Sequence, residues 1–156
     1  MLKRGFTLIE ILVVIAIIGI LSTLAIISYT GVQKSARDTQ RKSDLKQYQN
    51  ALEVFSNKNG GFYPSETTAG GVSVSSTVCG DMDLSNCPSD PRNVEDSTFD
   101  YKYQSNGSNS GVDATNYVFW SKLENTTDYW VVCSDGKVGT KSQSGWANPS
   151  DGSCPI

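Results

Sequence analysis

Four cysteines are the side chains of this 156-residue chain whose type and spacing most readily do chemistry, because thiols form disulfides or bind metals. They stand at Cys79, Cys87, Cys133 and Cys154. The sequence contains no His, which excludes a Ser-His-Asp triad, a Cys-His pair and a His-ligated zinc or haem. We therefore predict no catalytic residues and no enzymatic activity.

The cysteine spacings favour disulfides over a metal site. Four cysteines allow three pairings, and the intervals of eight and 21 residues contain no C-x-x-C unit of the kind that holds zinc. We favour the bond Cys79–Cys87, which closes a small loop, and the bond Cys133–Cys154, which attaches the C-terminal tail to a sheet. Disulfides suit an exported domain.

Glu10 is an isolated carboxylate within a long apolar run. The run covers 22 residues, 6–27, and its other interruptions are Thr, Ser and Gly. As a helix it would be roughly 33 Å long, enough to cross a hydrocarbon core of about 30 Å. A carboxylate inside such a segment costs about 2.5 kcal/mol or more unless it finds a partner or reaches the interface. Lys3 and Arg4 are the nearby cations.

Residues 3–10 carry a resemblance to a known family. Their sequence is KRGFTLIE, and the apolar run continues from it. This pattern resembles the signal sequence of type IV prepilins and of type II secretion and competence pseudopilins. The resemblance implies that a prepilin peptidase cuts after Gly5 and that the new N-terminal residue, Phe6, is methylated. It also implies that Glu10 pairs with the terminal amine of a neighbouring subunit during assembly.

The resemblance implies a function and a location as well. The chain would be a structural subunit of a type IV pilus-like filament, held before assembly as a single-pass membrane protein with a cytoplasmic N-terminus and an exported head. Its expected partners are copies of itself, prepilin peptidase, an assembly platform with its ATPase, and membrane lipid. Two alternatives stay open: a major-type pseudopilin of a type II secretion or competence (DNA uptake) system, and a membrane-anchored extracellular binding domain that does not assemble.

Nucleic acid and metal ions have little support as ligands. The net charge of −3 lacks the basic field that direct nucleic-acid binding needs. We expect no cofactor, although major pseudopilins of the resembled family bind calcium. Asp81, Asp83, Asp135 and Asp151 could supply oxygen ligands, but they form no EF-hand pattern. Solvated loop carboxylates are the favoured interpretation.

The whole chain predicts an α+β fold, in which a long N-terminal helix packs on a small antiparallel sheet beside a disulfide-stapled loop. Six segments follow from the pattern together with the resemblance, which implies the leader peptide and the assembly role of the first helix. They are a leader peptide (1–5), a transmembrane and assembly helix (6–29), an amphipathic helix of the head (30–58), an αβ loop (59–98), an antiparallel sheet (99–139) and a C-terminal tail (140–156).

The amphipathic helix should bury one face against the sheet. Leu45, Tyr48, Leu52 and Phe55 recur at helical spacing and form the expected apolar stripe. The charged residues from 34 to 46 should form a solvated face, and a contact with lipid headgroups or DNA is the alternative. Alternating aromatic and β-branched residues predict strands at 99–104, 117–123 and 129–133, with a short returning edge at 137–139.

Overall fold

The computed structural model describes residues 5–82, 84–108 and 111–156, without the side chains of residues 24–28. The predicted leader residues 1–4, with their two cations, and Asp83 of the possible calcium ligands lie outside this part. The architecture is the predicted α+β fold, with one long helix followed by an antiparallel sheet.

Helix α1 runs from Leu8 to Lys58, and its 51 residues extend for about 77 Å. A capping box starts it: the Thr7 hydroxyl accepts the Glu10 N–H at 3.3 Å, and the Glu10 carboxylate accepts the Thr7 N–H at 2.8 Å. Two glycines with positive φ, Gly60 and Gly61, follow its C-terminal end. The two predicted helical segments thus form one continuous helix, which begins two residues later than expected.

Seven short strands follow α1 in the described part of the chain. They are β1 (Tyr63–Pro64), β2 (Val72–Ser73), β3 (Lys102–Ser105), β4 (Val112–Ala114), β5 (Tyr117–Lys122), β6 (Asp128–Cys133) and β7 (Val138–Ser142). Five of them form an antiparallel sheet in the order β2-β3-β5-β6-β7, and β1 pairs with β4. A π-helical turn (Val74–Val78) follows β2, and a 3-10 turn (Gln143–Gly145) follows β7.

The sheet departs from the prediction at its edges. The stretch 59–98, predicted as a loop, contains β1, β2 and the π-helical turn. These strands were missed because two residues are too few to show an alternating pattern in the sequence. The first predicted strand begins at Lys102 instead of Phe99, since the Phe99 N–H donates to the Asp96 carbonyl in a turn. Strand β7 extends to Ser142, into the predicted tail.

The main core lies between α1 and one face of the sheet. Leu45, Tyr48 and Leu52 are fully buried, as their spacing predicts, whereas Phe55 is half-buried at the edge. The sheet contributes a set of fully buried side chains to this core: Tyr103, Tyr117, Phe119 and Val132. Each large apolar side chain buried in this way contributes about 1.5–3 kcal/mol to stability.

The C-terminal tail covers the opposite face of the sheet. The apolar side chains of this face are Val118, Trp120, Val131 and Cys133, and they pack against Trp146, Cys154 and Ile156 of the tail. The structure joins Cys133 to Cys154 and Cys79 to Cys87, which is the pairing favoured from the sequence. One bond therefore attaches the tail to β6, and the other closes the loop after the π-helical turn.

Candidate functional site

The N-terminal part of α1 exposes an apolar surface on all its sides. Between Phe6 and Leu21, the large apolar side chains are 49–92% exposed. Consecutive residues such as those in the range 11–15 point in different directions around a helix of 3.6 residues per turn, so this surface is not limited to one face. A helix that is hydrophobic all round is normally buried in protein or in lipid. This segment therefore needs a partner.

No helical stretch in the described part of the chain is both long enough and apolar enough to cross a membrane. The predicted membrane segment, 6–29, includes residues 24–28, whose side chains lie outside that part. Membrane crossing stays a prediction.

Glu10 lies at the exposed start of this apolar segment. Its carboxylate accepts hydrogen bonds from the N–H and the hydroxyl of Thr7, both at 2.8 Å. The capping box thus holds the carboxylate close to Phe6, where cleavage after Gly5 would create a positive amine. A shallow apolar groove is lined here by Phe6, Ile9, Glu10, Val13 and Val14. The cleavage, methylation and pairing roles stay predictions.

A buried ion cluster, which was not predicted, fastens the head to α1. Its centre is the fully buried side chain of Arg41. This guanidinium donates to Asp90 at 2.6 and 2.8 Å and to Asp38 at 2.8 Å, and it pairs with Glu124 at 2.7 Å. The prediction that the charges of residues 34–46 form a solvated face is wrong here. The loop around Asp90 and the β5–β6 turn fold over the helix and exclude water from the cluster.

One signal for this Arg41 cluster is present in the sequence. Arg41 precedes Leu45 by four residues and Tyr48 by seven, which places it on the same helix face as the apolar stripe. A cation on the same helix face as the buried apolar residues becomes buried itself if other segments pack over that part of the helix. A buried cation then needs carboxylates beside it. The sequence does not mark Asp90 and Glu124 as these partners, because both lie in distant loops.

Hydrogen bonds from two arginines set the pKa of Glu124. Arg37 donates to both carboxylate oxygens, at 2.7 and 2.6 Å, and Arg41 adds a further contact. These bonds, those from Arg37 first, outweigh burial and lower the pKa of Glu124 from 4.5 to about 2. Burial alone would lower the pKa of Arg41, but hydrogen bonds to its carboxylates raise it above its ordinary value. Glu124 and Arg41 are therefore both charged at neutral pH.

Backbone groups of the β5–β6 turn also bind the helix. The Asp38 carboxylate accepts the N–H groups of Glu124 at 2.8 Å and Asn125 at 2.9 Å. Further along α1, the Tyr101 hydroxyl donates to Asp44 at 2.7 Å. These contacts fix the head on the half of the helix that follows the exposed apolar segment.

Three potential metal ligands meet at one place in the described part of the chain. They are the Asp135 carboxylate and the sulfurs of Cys133 and Cys154. The two sulfurs are bonded to each other, so they are not thiolate ligands. Asp81 and Asp151 are not part of this group. That they are solvated loop carboxylates stays the prediction, and calcium binding stays its untested alternative.

Comparison with known proteins bears on the N-terminal segment. Residues 1–26 match the family model of the prokaryotic N-terminal methylation motif. The chain is 42% identical over 53 residues to the type II secretion system core protein G of Escherichia coli. It is also 42% identical over 53 residues to a type IV major pilin protein of Myxococcus xanthus. Over this N-terminal segment the chain is therefore similar both to a type IV major pilin and to a type II secretion system core protein.

The extent of these matches differs between relatives. Both 53-residue alignments cover 34% of this chain, and they cover 37% and 24% of the two relatives. In these two matches, the chain therefore spans less than half the length of the relative. A longer match, 27% identical over 147 residues, is to a fimbrial protein of Neisseria meningitidis and covers 94% of this chain and 81% of that protein. No solved structure matches the chain.

Proposed function

We propose that this chain is a structural subunit of a type IV pilus-like filament. The observation that carries the proposal is the exposed apolar surface of α1, which continues directly from the methylation motif. In a filament, these helical segments would pack against one another in the centre, with the heads outside. Before assembly, lipid would cover the same surface.

Cleavage after Gly5 would prepare the subunit by creating a charge. The new ammonium of Phe6 lies next to Thr7, whose N–H already binds Glu10. A carboxylate and an ammonium buried among apolar helices need each other, because breaking a buried pair costs about 3–5 kcal/mol. Pairing of the Phe6 amine with the Glu10 of a neighbour would set the axial register of the helices. An uncleaved subunit lacks this amine and would be excluded.

The exchange of lipid contacts for helix contacts would let subunits enter and leave the filament. Lipid tails are as apolar as the facing helices, so the transfer carries little hydrophobic free energy in either direction. Prepilin peptidase would make the cut on the cytoplasmic side, and an assembly platform with its ATPase would supply the work of extraction. The role is structural and not enzymatic.

Processing by the peptidase tests this proposal. The chain, co-expressed with prepilin peptidase, should have the mass of residues 6–156 plus one methyl group. Gly5→Val places a branched side chain at the cut and should leave the chain full length. Gly19→Val makes the same change beyond the cut, where added atoms also meet open space, and should be processed normally. An intact Met1 beside a peptidase that cuts a known substrate would overturn the proposal and favour the non-assembling membrane-anchored domain.

A second candidate, the pseudopilin, is favoured by one observation. The match to the type II secretion system core protein G is as close, at 42% identity, as the match to the major pilin. Both candidates share the processing step, so the location of the assembled subunits must separate them. Processed subunits without surface filaments would favour a pseudopilin of a secretion or competence system.

A further inference from the structure

A cationic cleft lies at the end of the head from which the apolar segment of α1 leaves. Its volume is about 290 Å³. Three cations line it, Lys34 from α1, Arg92 from the loop before β3 and Lys122 from β5, and polar side chains complete the wall: Thr126, Thr127 and Gln143. We call this cleft, with these six residues, the basal cleft.

The carboxylate of the basal cleft already has partners. Glu124, which also lines the cleft, is bound by Arg37 at 2.6 Å and by Arg41 at 2.7 Å. Arg92 approaches Glu124 at 3.5 Å and Glu95 at 3.6 Å. Both distances exceed the roughly 2.7–2.9 Å of a charge-assisted hydrogen bond, so the Arg92 donors are still available.

The two lysines of the cleft are less engaged than its arginine. Among the residues that the structure describes, neither Lys34 nor Lys122 forms an ion pair. Asp96 is occupied by the hydroxyl and the N–H of Thr98, whose hydrogen bonds are the main reason that its pKa is lowered, ahead of the charges of Arg92 and Lys122. The basal cleft thus presents two lysines that form no ion pair among the described residues, beside Arg92, whose carboxylate partners lie 3.5 and 3.6 Å away.

Three cationic side chains surround the buried aromatic ring of Phe99. Arg41, Arg92 and Lys122 lie 4.8, 4.6 and 5.0 Å from the centroid of the Phe99 ring, which is 5% exposed. Cation–π contacts of this kind hold the side chains in place. Like charges around one ring also repel one another, so an anion in the cleft would stabilise the arrangement.

The position of the cleft identifies its ligand. Lys34 follows the end of the apolar run by seven residues, an axial distance of about 10 Å along the helix. The headgroup region adds about 5–8 Å to each side of the hydrocarbon core, which a snorkelling lysine reaches. We propose that the basal cleft of the membrane-held subunit binds the phosphate of an anionic glycerophospholipid. The inference rests on the proposed function, because it needs α1 to be in the membrane.

Five of the six residues of the cleft have a role in this contact. Lys34, Arg92 and Lys122 donate to the phosphate oxygens, and the hydroxyls of Thr126 and Thr127 can bind the glycerol hydroxyls. The contact holds the head against the bilayer surface while the subunit waits. Extraction of the subunit into a filament breaks it.

Reconstitution of the full chain tests the inference. Vesicles of phosphatidylcholine, with and without phosphatidylglycerol, are treated with an amine-acylating reagent, and mass spectrometry follows each lysine. Phosphatidylglycerol should slow the acylation of Lys34 about fivefold, the factor expected for one basic residue at an anionic surface. Lys137, beyond the opposite end of β6, should react equally in both vesicles.

Two variants that each remove one positive charge distinguish binding in the basal cleft from a general electrostatic attraction of the chain to the anionic membrane. Lys122→Gln should abolish the protection of Lys34. Lys42→Gln removes the same charge two turns further along α1 and should preserve it. An equal effect of the two variants, or no protection in the parent chain, would overturn the basal cleft. Equal protection by soluble glycerol phosphate in pure phosphatidylcholine vesicles would overturn lipid as the source of the phosphate.

Alkaline extraction of the same vesicles distinguishes a failure of the proposed membrane anchoring from a failure of the basal cleft alone. A chain released by alkali contradicts the membrane anchoring of the proposed function, and the inference fails with it. A chain that stays embedded while Lys34 remains unprotected refutes the basal cleft alone.

Discussion

Glu10 is a carboxylate with two possible uses, a cap within one chain and a partner between chains. In the structure it accepts the N–H and the hydroxyl of Thr7 at the start of α1. Glutamine also serves at this position of a capping box, because its side-chain oxygen accepts the same hydrogen bond. The variant Glu10→Gln therefore keeps the cap and removes the charge.

We expect Glu10→Gln subunits to be cleaved and methylated like the parent but to fall at least about tenfold in the sheared filament fraction. The reason is that the buried amine of a neighbouring subunit loses its counter-charge. Quantitative immunoblots of sheared and membrane fractions measure this ratio. Glu95→Gln, which removes an exposed carboxylate from the head, is the control. Parental filament levels in Glu10→Gln would rule out the pairing role.

Removal of Arg41 should destabilise the head strongly. Arg41→Ala leaves two buried carboxylates, Asp38 and Asp90, without the cation that compensates their burial, whereas Glu124 keeps its bonds from Arg37. We expect the free energy of unfolding to fall by about 3–5 kcal/mol. Lys42→Ala, at the next and exposed position, should cost about 1 kcal/mol or less. Urea unfolding of the detergent-solubilised chain compares the two, and equal costs would contradict the buried cluster.

Acid should weaken the same cluster through Glu124. Its folded-state pKa of about 2 lies below the ordinary 4.5, so the unfolded chain binds this proton more readily. The resulting stabilisation is complete above about pH 4.5 and is lost as the pH falls towards about 2. In Glu124→Gln, the free energy of unfolding should therefore decline less across this interval. Identical declines in the variant and the parent would show that Arg37 and Arg41 do not hold the Glu124 charge.

At the scale of elements, the C-terminal tail acts as a cover for one face of the sheet. Its Trp146 packs against Trp120 and Tyr129, with centroid distances of 5.5 and 4.5 Å. The bond Cys133–Cys154 attaches this cover to β6, and a bridge that closes a loop of this size stabilises by about 3 kcal/mol.

Loss of that bond should release the cover. In the double variant Cys133→Ser, Cys154→Ser, we expect a red shift of tryptophan fluorescence, because the side chains of Trp120 and Trp146 become more exposed to water. The matched variant Cys79→Ser, Cys87→Ser removes the other bond and should shift the emission less. An unshifted spectrum in the first variant would mean that packing alone holds the tail.

Sequence patterns predicted the elements with strong periodicity and missed the others. The stripe through Leu45, Tyr48 and Leu52 identified the buried helix face, and runs of aromatic and β-branched residues identified β5 and β6. Strands β1, β2 and β4 have two or three residues each, too few for a period to show. Their positions depend on pairing with distant strands, which a local pattern does not encode.

At the scale of the whole molecule, the chain divides into an apolar helix half without a cover and a head built on the other half. The motif around Gly5, Phe6 and Glu10 could be recognised because all its residues are adjacent in the sequence. The partners of Arg41 and the basal cleft could not, since both combine α1 with segments that are distant in the sequence. Both lie where the head meets the helix.

The most direct measurement is electron microscopy of material sheared from intact cells and labelled with an antibody against the head, together with the mass of its subunits. We predict filaments labelled along their length, built from chains that begin at a methylated Phe6. Unlabelled filaments, with the protein retained in the membrane fraction, would contradict a role as a pilus subunit.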